Sequence, residues 1–459
     1  LNRTTRDTVK PRLAPGKPGP PLSPLPQRNA VPNGGWKFLL PLILIIFLAL
    51  ALAHSNLSPV GQTGYQNAPD EDAHVHYAVS LSHGHLPTRE EAALDPSGHS
   101  YEWHQPPLYY LIAAPLAQSG THALRLVSIG CGLCCLLLIY GAGRILFPDD
   151  PFIGITAACF AALIPSHIAI TSTVNNDPLL EVCFSTALLL LITMLMRGMT
   201  YGRCLMLGVT IGAAILTKAT GMLLLPIAAF SFLLMLRGEE KGRFVLRGAV
   251  IAFSAATLIG GWWFLHNLKL YGQPLPMKVF QQAFGATAQA ADVASGKMLP
   301  LPAEGWLGYW LLILQWTFQS FWAVYGTRGT AANGLPAWLP APIYELAAIL
   351  SVVAAAGLGK LHFARSTQFT PAQLRCVWLL FAVIGIVLFA FVAFVSTYFQ
   401  TQARYLYPAM LPISLLFAIG WRFIFPDRYR SSATLVLLGI LLLFCLIFLS
   451  AVQAAALPR

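Results

Sequence analysis

Charge is what this sequence has least of. Only 10% of its 459 residues are Asp, Glu, Lys or Arg, against about 25% in a soluble domain. That shortage excludes an ordinary soluble enzyme, a charge-rich disordered protein and a coiled coil. No internal repeat of transporter type is visible. There is no His-Glu-x-x-His run, so a membrane metallohydrolase has little support beyond the spacing of Asp70 and His74. Cysteine is largely missing from polar sequence. Cys131, Cys134, Cys135 and Cys445 sit inside apolar runs and read as small hydrophobes rather than disulfides. Cys131-x-x-Cys134 falls in the middle of such a run, a poor setting for redox or metal use.

What is present is apolar and basic. The hydrophobic fraction is 56% and the mean hydropathy +0.64. The net charge of +11 reports membrane topology in such a chain, not nucleic-acid binding. The fold class is therefore all-α: a polytopic membrane protein. A span needs about 20 apolar residues. The spacing predicts eleven, near 36–54, 122–146, 152–173, 178–197, 203–218, 221–236, 244–266, 341–359, 375–396, 405–425 and 431–452. The fifth and sixth are short, and Pro226 leaves one long span there as an alternative.

Residues 1–35 hold eight prolines, six basic residues and a single acid, Asp7. With no apolar stripe, they read as a disordered basic tail ahead of a transmembrane domain over 36–459. With that tail cytoplasmic, the breaks around Arg197, Arg237, Lys360 and Arg422 also face inward. Twenty of the 29 basic residues then fall inside, the positive-inside pattern expected of a multi-pass plasma (inner) membrane protein. The Trp-rich stretch 306–325 would reverse every later loop if it crossed. It is expected as an interfacial or re-entrant helix on the outer side. Residues 106–115 are too short to cross. Two long outer loops result, 54–120 and 267–340.

The first outer loop concentrates the chemistry. Residues 54–104 carry seven acids, one basic residue and seven of the eleven histidines. Asp70 precedes a helical pattern and is expected to cap it. Asp70 and His74, at i and i+4, share a helix face. A carboxylate in a partly dry site can act as general base, and a neighbouring imidazole can hold it. The bland alternative is a solvated acidic helix. Glu102, His104 and Gln105 precede Pro106-Pro107 at the water–lipid boundary, where Trp103, Tyr109 and Tyr110 could simply anchor an amphipathic helix. Asn176-Asp177, Lys218, His266-Asn267 and Arg404 lie at outer span ends. Such groups at membrane depth are costly and read as functional by default, although any single one could snorkel to the interface. Acids from one loop and cations from two distant places, all on one side, suit an anionic lipid phosphate beside a general base.

In chain order the motifs are Asp70-Glu71, His104-Gln105-Pro106-Pro107-Leu108-Tyr109-Tyr110, Asn176-Asp177, Thr217-Lys218-x-Thr220-Gly221, Gly261-Trp262-Trp263-Phe264-Leu265-x-Asn267 with Leu270-Tyr271-Gly272-x-Pro274-Leu275, and Arg404-Tyr405-Leu406-x-Pro408. This set resembles the GT-C integral-membrane glycosyltransferases, in particular relatives of protein O-mannosyltransferases and lipid A aminoarabinose transferases, and a bacterial branch of unassigned substrate. The matches run from Pro69 to Pro412.

The resemblance implies transfer of a sugar from a polyprenyl-phosphate-linked donor to a lipid, glycan or protein acceptor at the outer face, with inversion. It implies Asp70, with Glu71 beside it, as catalytic. Arg404, with Lys218, would meet the donor phosphate. His74, Glu102, His104, Gln105, Asn176, Asp177 and Tyr405 would bind substrate. No cofactor is certain. Some GT-C enzymes use a divalent cation at the loop-one acid, and Asp70, His74 and Glu102 could ligate one, but no metal is assigned. Members that recognise protein or glycan acceptors often carry a further soluble outer domain, whereas here Arg459 follows soon after the last span; acceptor recognition is therefore expected to fall to the two long loops, or the acceptor is itself a lipid or small glycan. The competing reading is a lipid or solute transporter or flippase, which would place its site near the bilayer midplane between broken helices.

Overall fold

A computed structural model describes residues 36–456 apart from 59, 61–67, 96–99, 239–240, 284–287, 298–303 and 329–334. The basic tail 1–35 lies outside the described residues. The chain is helical almost throughout. The first long helix is α1 (Trp36–Leu57). The first long loop then carries α2 (Glu71–Ser82), α3 (Arg89–Leu94), a 3-10 turn at 101–104, and α4 (Leu108–Ala113). Thr88 and Glu91 close a reciprocal capping box at the start of α3. Pro106 and Pro107 stop the chain from continuing the 3-10 turn into α4. As the short apolar run 106–115 suggested, α4 has only six residues.

The bundle continues with α5 (Thr121–Leu146), α6 (Pro151–Ala162), α7 (Pro165–Thr171), α8 (Asp177–Arg197), α9 (Tyr201–Thr217), α10 (Leu224–Leu236) and α11 (Gly242–Tyr271). The second long loop carries α12 (Met277–Ala283), α13 (Ala290–Ala294), α14 (Gly305–Trp322) and a two-stranded antiparallel ribbon, β1 (Tyr325–Arg328) with β2 (Leu335–Ala337). The chain ends in α15 (Ala341–Gln368), α16 (Pro371–Val395), α17 (Met410–Ile424) and α18 (Arg430–Ala456).

Among the described residues nine helices are long and apolar enough to cross a membrane, counting 219–236 and 403–424 with their 3-10 starts. The pair α6–α7, bent by 72°, is long and apolar enough only when its two helices are taken together, as a broken span or a re-entrant loop. Pro165 opens α7 and supplies the break, since it cannot donate the hydrogen bond that would continue α6. With the shorter apolar helix α9, each of the eleven expected runs has a helical counterpart. The doubtful pair at 203–236 is two helices. Lys218 is extended between them, and Gly221 packs so close to α9 that a Cβ there would lie 2.2 Å from the Ala214 carbonyl oxygen. The Trp-rich stretch forms α14, which is not among the helices apolar enough to span.

The core follows from composition. Every residue of α6 is buried, and its mix of Ala, Ile, Phe and Gly lets α5, α17, α1 and α18 close around it. A helix that is apolar all round belongs inside a bundle. At the crossing of α15 and α17, a Cβ on Gly357 would sit 1.8 Å from the Gly420 carbonyl oxygen. Only glycine allows that approach.

Candidate active site

The helix ends after α1, α9, α11 and α16 and the starts of α8 and the 403–424 segment gather at one end of the bundle, under the two long loops. There they enclose a cavity of about 530 Å³. Its lining is polar in part: Asp70, His74, Tyr101, Glu102, His104, Gln105, Lys218, Gln400 and Arg404. The rest of the lining is largely apolar, with Leu223, Leu275, Phe280, Val387, Phe391 and Phe394 drawn from the 3-10 turn at 219–223, the second loop and α16.

Asp70 has φ +63° and is the single non-glycine residue with positive φ among the described residues. A left-handed conformation at such a residue costs about 1–3 kcal/mol and tends to mark functional sites. Asp70 occupies the N-cap position of α2, but its side chain does not cap the helix as the sequence suggested. The carboxylate is taken elsewhere. Arg404 Nη2 donates to Oδ2 at 2.6 Å and the Tyr101 hydroxyl donates to Oδ1 at 3.0 Å. The side chain remains 32% exposed, toward the cavity. Burial would raise this carboxyl, but the Arg404 charge and the two hydrogen bonds hold it down at about 2.

Glu71, the next residue, is 4% exposed and does not line the cavity. Arg125 Nε and Nη2 grip its two oxygens at 2.8 and 2.5 Å, and the Val174 amide donates to Oε1 at 2.7 Å. Arg125 also donates to the carbonyls of Ser55 and Ser58. Glu71 thus ties α2 to α1, α5 and the turn before α8. The expectation that it sits beside Asp70 as a second catalytic acid is not what the geometry offers: successive residues at a helix start point in different directions.

The remaining groups divide by position. His74, Glu102, His104, Gln105, Lys218, Arg404 and Tyr405 reach the cavity. Asn176 and Asp177 stand behind it. Asn176 Nδ2 donates to Gln105 Oε1 at 3.0 Å and to the Thr217 carbonyl at 3.2 Å. Asp177 binds Lys218 Nζ and faces Arg404 Nη1 at 3.5 Å. Tyr405 lies under both cations, with its ring centre 5.7 Å from Lys218 Nζ and 5.4 Å from the Arg404 guanidinium.

His74 Nδ1 is 2.7 Å from the Tyr110 hydroxyl, and His104 Nδ1 is 3.1 Å from the Tyr101 carbonyl. Burial lowers both imidazoles, His104 to about 4, so near neutral pH they act as uncharged hydrogen-bonding groups. Burial pushes the Glu102 carboxyl up, and the Asp70 charge adds to this against the pull of His74. Glu102 Oε2 is buried without a hydrogen-bond partner. Ligand atoms of Asp70, His74 and Glu102 lie within 4.8 Å of one another, a mixed oxygen and nitrogen set suited to a divalent cation.

Sequence reasoning passed over Arg125, although a lone arginine inside an apolar run was the available signal. It also passed over Tyr101 as a partner of Asp70. His266 and Asn267, singled out at a span end, do not line the cavity. Neither does the buried pair of His167 and Glu181, 3.0 Å apart between α7 and α8.

Helices gathered around a loop-built cavity, with a carboxylate and two cations among its lining and apolar side chains beside them, define a polytopic membrane fold with its polar site at one end. The family model described as dolichyl-phosphate-mannose-protein mannosyltransferase matches residues 104–262, about a third of the chain. No curated protein matches in sequence. Solved structures give the fold. An oligosaccharyltransferase from Archaeoglobus fulgidus, tethered to an acceptor peptide containing the NVT sequon, is 15% identical with a TM-score of 0.52, over 92% of this chain and 56% of that one. The same enzyme in complex with Zn and sulfate is 14% identical with a TM-score of 0.51, over 90% of this chain and 53% of that one. ArnT from Cupriavidus metallidurans bound to undecaprenyl phosphate is 14% identical with a TM-score of 0.51, over 92% of this chain and 77% of that one. The chain thus spans little more than half the length of the oligosaccharyltransferase and about three quarters of ArnT.

Proposed function

We propose that this chain is a polyprenyl-phosphate-sugar-dependent glycosyltransferase. The observation that carries the reading is the meeting of Asp70 and Arg404, 334 residues apart in sequence, at 2.6 Å on the wall of a half-apolar cavity. The apolar part of the lining suits the first prenyl units of a lipid, the cations suit its phosphate, and Asp70 suits the acceptor. The ArnT structure bound to undecaprenyl phosphate supports the donor class, and the acceptor peptide tethered to the oligosaccharyltransferase supports transfer to an acceptor.

In the proposed step the acceptor hydroxyl attacks the anomeric carbon. Its proton passes to Asp70. The new C–O bond forms as the bond from that carbon to the phosphate oxygen breaks, and the electron pair leaves on the lipid phosphate. A single displacement inverts the anomeric centre of the hexosyl or pentosyl group. Arg404 and Lys218 stabilise the charge that grows on the phosphate, a pre-placed arrangement with no reorganisation at the moment of reaction. His74, Glu102, His104 and Gln105 hold the sugar or acceptor as hydrogen-bonding groups. Asn176 and Asp177 brace Gln105 and the cations from behind, and Tyr405 floors them. A divalent cation fits Asp70, His74 and Glu102 and would supply Lewis-acid charge there. We place the chain in the plasma membrane with its N-terminus cytoplasmic and the cavity facing the exterior, which is where the positive-inside pattern puts it.

The test is mass spectrometry of the cell envelope with and without this chain. One glycan mass missing in its absence is the expected result. An unchanged envelope, together with uptake of a labelled solute by reconstituted protein, would overturn the reading in favour of a transporter.

A further inference from the structure

Lys218 and Arg404 are the two Lys or Arg residues among the described residues lining the cavity, and both are already engaged by carboxylates. Arg404 holds Asp70 through Nη2 and faces Asp177 through Nη1, while Lys218 binds Asp177. Among the described residues, an entering phosphate therefore finds each lining cation already paired, and full charge pairing requires exchange with a carboxylate. The two carboxylates are not equally held. Asp177 is 8% exposed and lies between two cations, Lys218 and Arg404. Asp70 is 32% exposed, faces the cavity, and keeps a second anchor in Tyr101 when Arg404 leaves it. The guanidinium is not saturated either, since its buried Nε has no hydrogen-bond partner. A planar fork with a free donor is suited to bidentate phosphate contact.

We infer that the donor phosphate displaces Asp70 from Arg404, so that donor arrival releases the Asp70 Oδ2 to receive the acceptor's proton. The inference rests on the reading of Asp70 as base and Arg404 as phosphate partner. Before the donor binds, Oδ2 is neutralised by the guanidinium. Once the donor is in place, Tyr101 keeps the carboxylate on station while Oδ2 is free. Transfer then moves the acceptor proton to Oδ2 and leaves a further negative charge on the lipid phosphate, which retains Arg404. Departure of the polyprenyl phosphate lets Asp70 give the proton up to water and returns Arg404 to the carboxylate. Binding is thereby ordered, donor first, and the acceptor meets an effective base when the donor is there to be attacked.

The experiment uses the full chain in lipid nanodiscs with undecaprenyl phosphate as the probe. Its affinity is measured for the wild type, Asp70→Asn and Arg404→Ala, and the wild-type complex is imaged by cryo-electron microscopy. The expected results are tightening of at least tenfold in Asp70→Asn, weakening in Arg404→Ala, and a complex in which the phosphate contacts Arg404 while Asp70 stays on Tyr101 alone. A phosphate in the cavity with the Asp70–Arg404 pair intact, or no change in affinity in Asp70→Asn, would overturn the exchange and leave the wider reading standing. A phosphate bound outside the cavity, or binding indifferent to Arg404, would overturn both.

Discussion

Asp70 and Glu71 are neighbours of the same chemistry, and the fold treats them as opposites. Asp70 is strained, partly open and held by one guanidinium from a segment 334 residues away. Glu71 is closed off, gripped by both arms of Arg125 and by a backbone amide. A charge sealed into a saturated network builds structure, because its cost is met once and nothing can enter. A charge left with one exposed edge and an exchangeable partner can meet a substrate. The difference lies in burial and in the number of partners, neither of which residue type reveals.

Substitution should separate the two roles. Glu71→Ala leaves Arg125 buried and uncompensated, and loss of a buried pair's partner costs about 3–5 kcal/mol. A marked fall in melting temperature or yield in detergent is expected, and a melt like that of the wild type would contradict the structural role. Asp70→Asn should insert and melt normally yet lose transfer by at least about 100-fold, the lower range for a general base. Retained turnover there would end the mechanism. Arg404→Ala should weaken donor use at least about tenfold, or about 1.4 kcal/mol, read from the donor dependence of the rate. The smallest effect concerns Glu102. Its folded-state carboxyl is raised, so its favourable contribution is present at pH below the ordinary glutamate range and is lost as pH rises through the folded value. With a chelator present, Glu102→Gln should gain melting temperature over the wild type at pH 8 more than at pH 5. An equal offset at both would show that burial does not govern this group.

Much of the fold was legible because bilayer thickness and hydrophobic run length are linked by helix rise. All eleven runs form helices. The break at Lys218 was harder to read, because it depends on Gly221 meeting the backbone of α9, a contact no hydropathy window records. The gathering of Asp70, Lys218 and Arg404 was legible from charge sidedness, since topology brings span ends of one parity together. The division between Asp70 and Glu71 was not. It depends on Arg125, whose partner lies 54 residues away. The failure of Asp70 to cap α2 has the same origin: local propensity favours a cap, and a guanidinium from the far end of the chain offers the carboxylate a stronger bond.

The most direct test of the central claim is reconstitution of the purified chain with a pool of polyprenyl-phosphate-linked sugars and envelope extract, with released polyprenyl phosphate followed by mass spectrometry. The account predicts release by the wild type and by Glu71→Gln, and none above background by Asp70→Asn. Release by Asp70→Asn at the wild-type rate would contradict it.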